Sequence, residues 1–464
     1  MLSISESSPK LCDGVSRRAL LQAGTLGSLG LLNGWPSTSQ AFEVSSHPRT
    51  AKRCIVLFLL GGPPQHSTWD PKPLAPAEVR GEFGAIPTHI PGIQVSELLP
   101  LSATRMDRLA LLRAVVTGDN AHSSSGYYMM TGQPHIPKNR ENANPGAPNN
   151  WPTLGAVVQQ LSSQSGLLPP AIRLPHHIFN TDGSVWPGQD SGWLGHNADP
   201  WLFQCEPATK KIDLPQFQLQ ADMTLGRMSH RRSLLEQLET QLRKSEQSSR
   251  HLRYTDQRQR AFDLLTTTKS REACDLSRES KVIRDRYGRS QFGQSVLLAR
   301  RLVEADVEFV QVNWFRGPDE PRDAPCWDSH SNESRRLKTV LIPPFDQALN
   351  ALLDDLENRS LLSETLVVCL AEFGRTPKFN KRAGRDHWGH VFSVALAGGG
   401  IRGGQVHGVP DEQATYPRDN VVYPEDITAT IFHCLGYSPE TTIQDAIARP
   451  HPISRGRVLH ELLS

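Results

Sequence analysis

The feature that most constrains the fold is a series of short, continuous apolar runs of strand length. Residues 54–60 (CIVLFLL) form the first, and others follow at 109–116, 307–312, 366–370 and 391–396. Because a strand covered on both faces has no polar face, such a run predicts a buried strand. Between the runs, residues 292–305 and 340–358 repeat apolar side chains every three or four positions, which predicts amphipathic helices. The alternation predicts an α/β protein with a mostly parallel central sheet flanked by helices.

Two segments lack this alternation and are interpreted as insertions into the sheet domain. Residues 133–215 are dense in Pro, Gly, Asn and Trp and show little periodicity, which predicts a loop-rich cap over one end of the sheet. Residues 227–290 are rich in Arg, Gln, Glu and Ser with apolar residues at helical spacing, which predicts a helical excursion with a solvated basic face. We therefore expect a single domain over residues 42–464.

The first 41 residues have the features of a bacterial export signal. Arg17 and Arg18 precede a weakly apolar, glycine-rich stretch that runs to about Leu32, and residues 39–41 (SQA) fit a signal-cleavage site. These features predict a periplasmic or extracellular protein, with the twin-arginine export machinery as a partner. The alternative is a cytosolic chain with a chance Arg-Arg pair.

Charge and hydropathy argue against two classes of partner. The 50 Lys and Arg residues nearly balance the 48 Asp and Glu residues, and a net charge of +2 provides no field to hold a polyanion. We therefore predict no nucleic-acid partner. No apolar run of about 18 residues or more follows the N-terminal segment, so we predict no membrane span after removal of the signal.

Polar residues concentrate where the predicted strands end, which is where ligands bind in open α/β sheets. His66 and Asp70 follow the first strand, and His66 is either a metal-capable residue or a loop histidine with a local hydrogen bond. His122 and Ser123 follow the second strand and open a run of three serines. A serine beside a histidine fits a nucleophile and its base, whereas serines at the start of a helix are also common caps.

The two later clusters carry the densest set of metal-capable side chains. Asp328 and His330 are separated by one residue and can lie on one side of an extended segment, which suits a divalent metal. The last cluster follows residues 366–370 and contains two carboxylates, one arginine and two histidines, namely Glu372, Arg375, Asp386, His387 and His390. This set predicts a metal site in which Arg375 holds an anion. A buried Glu372–Arg375 ion pair with structural histidines is the alternative.

Taken in order, these motifs resemble the exported bacterial family called domain of unknown function 1501, which is placed in the alkaline phosphatase and sulfatase superfamily. The resemblance covers most of the chain after the signal. It rests on residues 59–63 (LLGGP), 130–132 (MTG), 287–288 (YG), 299–304 (ARRLVE), 327–330 (WDSH), 372–377 (EFGRTP) and 384–388 (GRDHW). The resemblance implies an alkaline phosphatase-like fold.

The resemblance also implies one or two divalent metals, with zinc, manganese and calcium all compatible. Asp328 and His330 are similar to an Asp and a His that bind one metal, with His387 or His390 as the third ligand. Glu372 stands where the superfamily has the Asp of an Asp-His pair, and Phe373 replaces that His. Gly61-Gly62 replaces the usual acidic ligand after the first strand, so that His66 or Asp70 would have to substitute.

The nucleophile departs from the superfamily pattern. His122 stands where sulfatases carry a modifiable cysteine, so formylglycine chemistry is excluded there, although a histidine can still bind a metal. Ser123 and the two serines after it are offset alternatives. In this scheme Arg375 would neutralise the transferring anion, and Asp386 would orient His387 or His390.

Two hypotheses of function follow. The first is an exported, metal-dependent hydrolase-like protein that acts on phosphate or sulfate esters, either small molecules or glycans. The second is a non-catalytic exported binding protein for sulfated or phosphorylated glycans. The missing nucleophile and the four tryptophans of the loop-rich segment favour this second reading, because aromatic faces stack on sugars; they are Trp151, Trp186, Trp193 and Trp201.

Overall fold

The apolar runs of the sequence form the core strands of one eight-stranded sheet. The computed structural model of the protein describes residues 48–163, 166–208, 226–227, 230, 233–234, 268–316, 320 and 325–464. The sheet strands are β1 (Arg53–Phe58), β2 (Leu109–Val115), β3 (Ala171–Leu174), β4 (Trp201–Leu202), β5 (Phe309–Asn313), β6 (Thr365–Leu370), β7 (Phe392–Ala397) and β8 (Gln405–His407).

The sheet is mostly parallel, which confirms the predicted fold class. Its strand order is β8-β2-β7-β6-β1-β5-β3-β4. The inner strand β1 pairs in parallel with β5 on one side and with β6 on the other, so that Cys54 lies opposite Phe309 and Leu366. Only β7 runs against the others, pairing antiparallel with both β2 and β6. It does so because the chain between β6 and β7 contains no crossover helix to carry it back to the other end of the sheet.

The loop-rich segment 133–215 is more than the cap that the sequence predicts. It supplies β3 and β4, which extend the sheet in parallel beyond β5. β3 has four residues and β4 has two, so neither is long enough to display a strand pattern among the surrounding Pro, Gly and Asn. The interpretation of the whole segment as lying outside the sheet is therefore wrong.

Helices cover the sheet, and their packing agrees with the amphipathic patterns. The α-helices of the described residues are α1 (Ala77–Arg80), α2 (Pro100–Ala103), α3 (His122–Thr131), α4 (Leu154–Leu161), α5 (Thr268–Cys274), α6 (Lys281–Arg286), α7 (Gln291–Glu304), α8 (Glu333–Arg336), α9 (Ile342–Asn358) and α10 (Pro424–Cys434). Helix α7 packs against β1, β5 and α9, and α3 packs against α10. A π-helical turn at Leu337–Leu341 leads into α9.

Two expectations fall largely or wholly outside the described residues. The proposed export signal at residues 1–41 lies outside them, as does most of the segment 227–290. The described end of that segment contains α5, a 3-10 turn at Leu276–Arg278, and α6. No described helix combines the length and apolar character that a membrane-spanning segment needs.

The carboxyl ends of the parallel strands bring the polar clusters together. β1 leads into Gly61, β2 leads through a short loop to α3, and β6 leads into Glu372. A second, two-stranded ribbon pairs Gly374–Arg375 with His387–Trp388, so that His387 lies opposite Arg375. The order of the strands thus gathers loops that are up to about 300 residues apart in the chain at one edge of the sheet.

Candidate metal centre

The Asp328 carboxylate is the centre of a cluster of histidines at this edge. Its Oδ1 lies 3.0 Å from His330 Nε2 and 3.1 Å from His387 Nε2, and its Oδ2 lies 3.3 Å from His122 Nε2. His122, Asp328 and His387 can offer ligand atoms that all lie within 4.8 Å of one another. His330 Nε2 is also 2.8 Å from His387 Nε2. Four metal-capable side chains from three different loops therefore converge.

Each of the three histidines is oriented through its other ring nitrogen. His122 Nδ1 donates to Glu372 Oε1 at 2.7 Å, and His330 Nδ1 donates to Asp386 Oδ1 at 2.9 Å. His387 Nδ1 donates to the backbone carbonyl of Asn120 at 2.7 Å. Since each acceptor is an oxygen, each Nδ1 carries the hydrogen, and a neutral ring keeps its lone pair on Nε2. Metal-binding histidines are held in this way in proteins.

The charges of the cluster favour a cation between the carboxylates of Asp328 and Glu372. Burial opposes protonation of His122, but Asp328 and Glu372 outweigh it and raise the pKa of its imidazole to about 10. Burial and the charge of His122 lower the pKa of His387 to about 3. Burial alone would raise the pKa of Asp328, yet His122 and Arg375 hold it well below its usual range. Either a proton on His122 or a metal ion can supply the missing positive charge, so the residues present fit a divalent metal.

The glycine pair after β1 allows the Asp328 loop to approach the sheet. Gly61 has a φ of +109°, and a Cβ there would lie 2.3 Å from the Asp328 backbone nitrogen. The Gly61 amide donates to Glu372 Oε1 at 2.8 Å, and the Trp327 amide donates to the Leu60 carbonyl at 3.0 Å. Gly61 thus contributes space and a backbone donor where the resemblance implies an acidic ligand.

Arg375 does not serve as the predicted anion-binding group. Its side chain is fully buried, and Nη2 lies 2.5 Å from Asp328 Oδ1. Three more of its five N–H groups donate to the backbone carbonyls of Gly61, Gly62 and Arg385. Because strand pairing directs the guanidinium into the protein, it neutralises Asp328 and is buried away from a substrate.

Glu372 and Asp386 support histidines in the structure. Glu372 is fully buried, and its Oε1 accepts hydrogen bonds from the Gly61 amide and from His122 Nδ1. The sequence predicted Glu372 as a direct metal ligand, whereas in the structure it orients His122. Its Oε2 is buried and has no hydrogen-bond partner among the described residues. Asp386 orients His330 and not the predicted His387 or His390, because the turn from Asn380 places the Asp386 carboxylate beside the His330 ring.

Three other predicted metal ligands lie outside the cluster. His66 is buried in a 3-10 turn, and its Nε2 contacts the Gln413 carbonyl at 2.8 Å. Asp70 pairs with Lys72 at 2.9 Å and with Arg113 at 3.5 Å. His390 packs its ring against Trp388 and Tyr416. Local hydrogen bonds, ion pairs and ring packing account for these side chains, and the structure places them outside the candidate metal centre.

Ser123 is not placed as a nucleophile. It is fully buried, and its hydroxyl donates to the Arg140 carbonyl at 3.0 Å and accepts from the Ala143 amide at 2.9 Å. The next two serines bond Asp119 and the Glu372 carbonyl. The three hydroxyls hold the start of α3 and the loop that crosses it. This structural role is closer to the capping alternative than to the role of a nucleophile.

A cleft that is open to solvent lies beside the cluster. His122 and Asp328 line it, together with the aromatic rings of Phe179 and Trp186. The other side chains that line it are Leu60, Glu141, Asn142, Asn180, Thr181, Arg316, Pro325 and Cys326.

Three residues that contribute to this site were not predicted from the sequence. Glu141 Oε1 accepts from the His122 amide at 3.0 Å and lies 3.7 Å from His387 Nδ1, but it sits in an aperiodic segment that carries no signal. Asn120 acts through its backbone carbonyl, which no side-chain pattern reveals. Arg316 follows the end of β5 by three positions, so the same search for polar residues after buried strands could have found it.

Comparisons with known proteins agree with the resemblance. The sequence profile of the family described as Protein of unknown function (DUF1501) matches residues 51–463. No curated protein sequence matches the chain significantly. Among solved structures, the sulfatase PsFucS1 from Pseudoalteromonas sp. is 13% identical with a TM-score of 0.39, covering 91% of this chain and 72% of that one.

Two other solved structures show similar values. The phosphonate monoester hydrolase of Agrobacterium radiobacter is 11% identical with a TM-score of 0.42, covering 89% of this chain and 77% of that one. A protein in the alkaline phosphatase superfamily from Vibrio parahaemolyticus is 11% identical with a TM-score of 0.40, covering 90% of this chain and 73% of that one.

Proposed function

The chain belongs to the family described as Protein of unknown function (DUF1501), and from the geometry of its site we propose that it is a metal-dependent hydrolase of phosphate or sulfate esters. One observation carries the proposal. The Nε2 atoms of His122, His330 and His387 converge on the Asp328 carboxylate, and each Nδ1 is held by an oxygen. This arrangement provides ligands and supporting hydrogen bonds together.

The cluster would hold the metal through these four side chains. Three imidazole nitrogens favour zinc over calcium, which prefers oxygen ligands. When bound, such an ion would supply Lewis-acid polarisation of an ester oxygen and lower the pKa of a water. Glu372 and Asp386 would keep the His122 and His330 rings in place, and Arg375 would balance the charge of Asp328.

The nucleophile in this proposal is water. Among the described residues, none of the three α3 serines has a free hydroxyl in the cluster, and burial raises the pKa of the Cys326 thiol well above its usual range. Glu141 lines the cleft, and burial raises the pKa of its carboxyl, so it is suited to accept the proton of the attacking water. The new bond from the water oxygen to phosphorus or sulfur would form while the bond to the alcohol oxygen breaks, and the alcohol would leave with the proton that Glu141 has taken from the water.

The second candidate is a glycan-binding protein without turnover. The described part of the cluster offers no serine or cysteine placed as a nucleophile, which favours this candidate, as do the half-buried rings of Trp151 and Trp193, whose centroids are 5.5 Å apart. His451 packs against both rings. Trp186 is buried and Trp201 lies on β4, so the four tryptophans do not form one platform.

The site of action in this proposal is outside the cytoplasm. The twin arginines at residues 17–18 and the cleavage motif at 39–41 support export through the twin-arginine machinery. Replacing both arginines with lysine should leave the full-length protein in the cytoplasm. Periplasmic accumulation of that variant would contradict this route.

Hydrolysis of chromogenic esters tests the function. Zinc- or manganese-loaded protein should cleave 4-nitrophenyl phosphate, bis(4-nitrophenyl) phosphate or 4-nitrophenyl sulfate, and Asp328→Asn should reduce the rate about 100-fold or more. His390→Ala is the matched control, because this histidine lies outside the cluster, and it should retain the rate. Glycan-array binding by the metal-loaded protein without turnover of any ester would overturn the hydrolase and support the second candidate.

A further inference from the structure

Arg316 brings a positive charge to the wall of the cleft. β5 ends at Asn313, and Arg316 follows three positions later, at the same edge of the sheet as the metal cluster. It lines the cleft together with His122 and Asp328. The sheet order therefore places a cationic side chain beside the four converging ligands.

The Arg316 guanidinium differs from the other arginine near the cluster. Arg375 is fully buried, and four of its five N–H groups donate to Asp328 and to backbone carbonyls. Arg316 is half-buried, and within the part of the chain that the structure describes its side chain forms no hydrogen bond or ion pair. A partly desolvated guanidinium without a partner favours an anion with two oxygens in one plane.

The other side chains of the cleft are less suited than Arg316 to bind an anion. Of its described lining residues, Arg316 is the only arginine or lysine. The amide of Asn180 donates to the Ala143 carbonyl and to Ser184, and the Thr181 hydroxyl donates to Asn142. The Asn180 and Thr181 donors of this wall are thus engaged in holding it together.

We propose that Arg316 binds the anionic phosphate or sulfate group of the substrate ester and selects for it. The inference rests on the proposed function and assigns to Arg316 the recognition that the sequence predicts for Arg375. The organic part of the ester then faces the aromatic side of the cleft, where the Phe179 ring is 44% exposed.

Binding of the product anions tests this role without turnover. Inorganic phosphate and inorganic sulfate are titrated into zinc-loaded wild-type, Arg316→Gln and Arg316→Lys proteins by calorimetry, and zinc content is measured in parallel. We expect Arg316→Gln to weaken anion binding about tenfold or more with unchanged zinc content, and Arg316→Lys to recover part of the loss. Arg335→Gln is the control, because Arg335 lines a different pocket, and it should bind as the wild type does.

The outcomes separate this inference from the proposed function. If the wild type hydrolyses esters while Arg316→Gln binds both anions as tightly as the wild type, the role of Arg316 is wrong and the hydrolase stands. If the zinc-loaded wild type binds neither anion and hydrolyses no ester, the proposed function fails and this inference fails with it. Weaker binding by Arg335→Gln equal to that of Arg316→Gln would also overturn the assignment, because the effect would then be one of net charge.

Discussion

At the scale of single residues, the tautomers of the histidines decide what the cluster can bind. His330 and His387 both commit Nδ1–H to an oxygen, so two Nε2 lone pairs face each other at 2.8 Å in the neutral rings. Two acceptors at this distance repel unless a proton or a metal ion lies near both. Asp328 brings a negative charge to the same point. The local chemistry therefore favours a cation over a neutral ligand.

The pH dependence of metal affinity follows from His122. Without metal, the two carboxylates hold a proton on this imidazole up to a pKa of about 10. A metal that binds Nε2 must displace that proton, and displacement becomes harder as the pH falls below this value. We expect zinc affinity to rise about tenfold per pH unit between pH 6 and 8. Competition with a chelator of known proton affinity measures the slope, and a flat profile would show that His122 is not a ligand.

The supporting carboxylates should matter in proportion to their burial. Glu372 is fully buried against His122, whereas the Asp386 side chain is 56% exposed and water can replace part of its role. Glu372→Gln should lower zinc affinity by about 10- to 100-fold, and Asp386→Asn by less. The control is Asp199→Asn, which alters a carboxylate–histidine pair outside the cluster. Equal affinities for all three variants and the wild type would contradict this role.

At the scale of elements, the junction between β1 and the Asp328 loop sets the shape of the site. The sequence predicted β1, because a run of seven apolar residues forms few structures other than a buried strand. It also predicted that functional residues lie at the strand ends. It did not predict that Gly61 would be the contact surface for Trp327 and Asp328. A close backbone approach depends on a residue more than 260 positions away, and a local pattern contains no trace of it.

A methyl group at Gly61 should therefore damage both stability and metal binding. The left-handed φ of +109° and a Cβ 2.3 Å from the Asp328 nitrogen both oppose alanine at this position. Gly92 has a φ of +84° with nothing within 4 Å of a Cβ, so Gly92→Ala isolates the conformational cost, about 1–2 kcal/mol. Gly61→Ala should lower the free energy of unfolding by at least about 1 kcal/mol more. Urea denaturation measures both, and equal losses would mean that the loop tolerates displacement.

At the scale of the whole molecule, the order of the strands in the sheet determines which side chains meet at the site. Asp328, His122 and His387 were predicted as metal-capable residues, and the sheet brings them together; that they bind a metal stays a prediction. His66, Asp70 and His390 carried the same sequence signal, yet nearby partners hold them elsewhere. Residue type and strand-end position thus identify a pool of candidates. Long-range packing selects among them, and neither the short strands β3 and β4 nor the contact of Glu141 with His122 has a local signature.

The proposed function depends on whether the His122–Asp328–His330–His387 cluster holds a divalent metal ion. Elemental analysis of protein dialysed against zinc tests it most directly, with His122→Ala, Asp328→Ala and His390→Ala variants alongside. We expect bound zinc in the wild type and in His390→Ala, and its loss in His122→Ala and Asp328→Ala while those variants keep their far-ultraviolet circular dichroism. Absence of zinc from the wild type, or its full retention by folded Asp328→Ala protein, would show that the cluster is not a metal site.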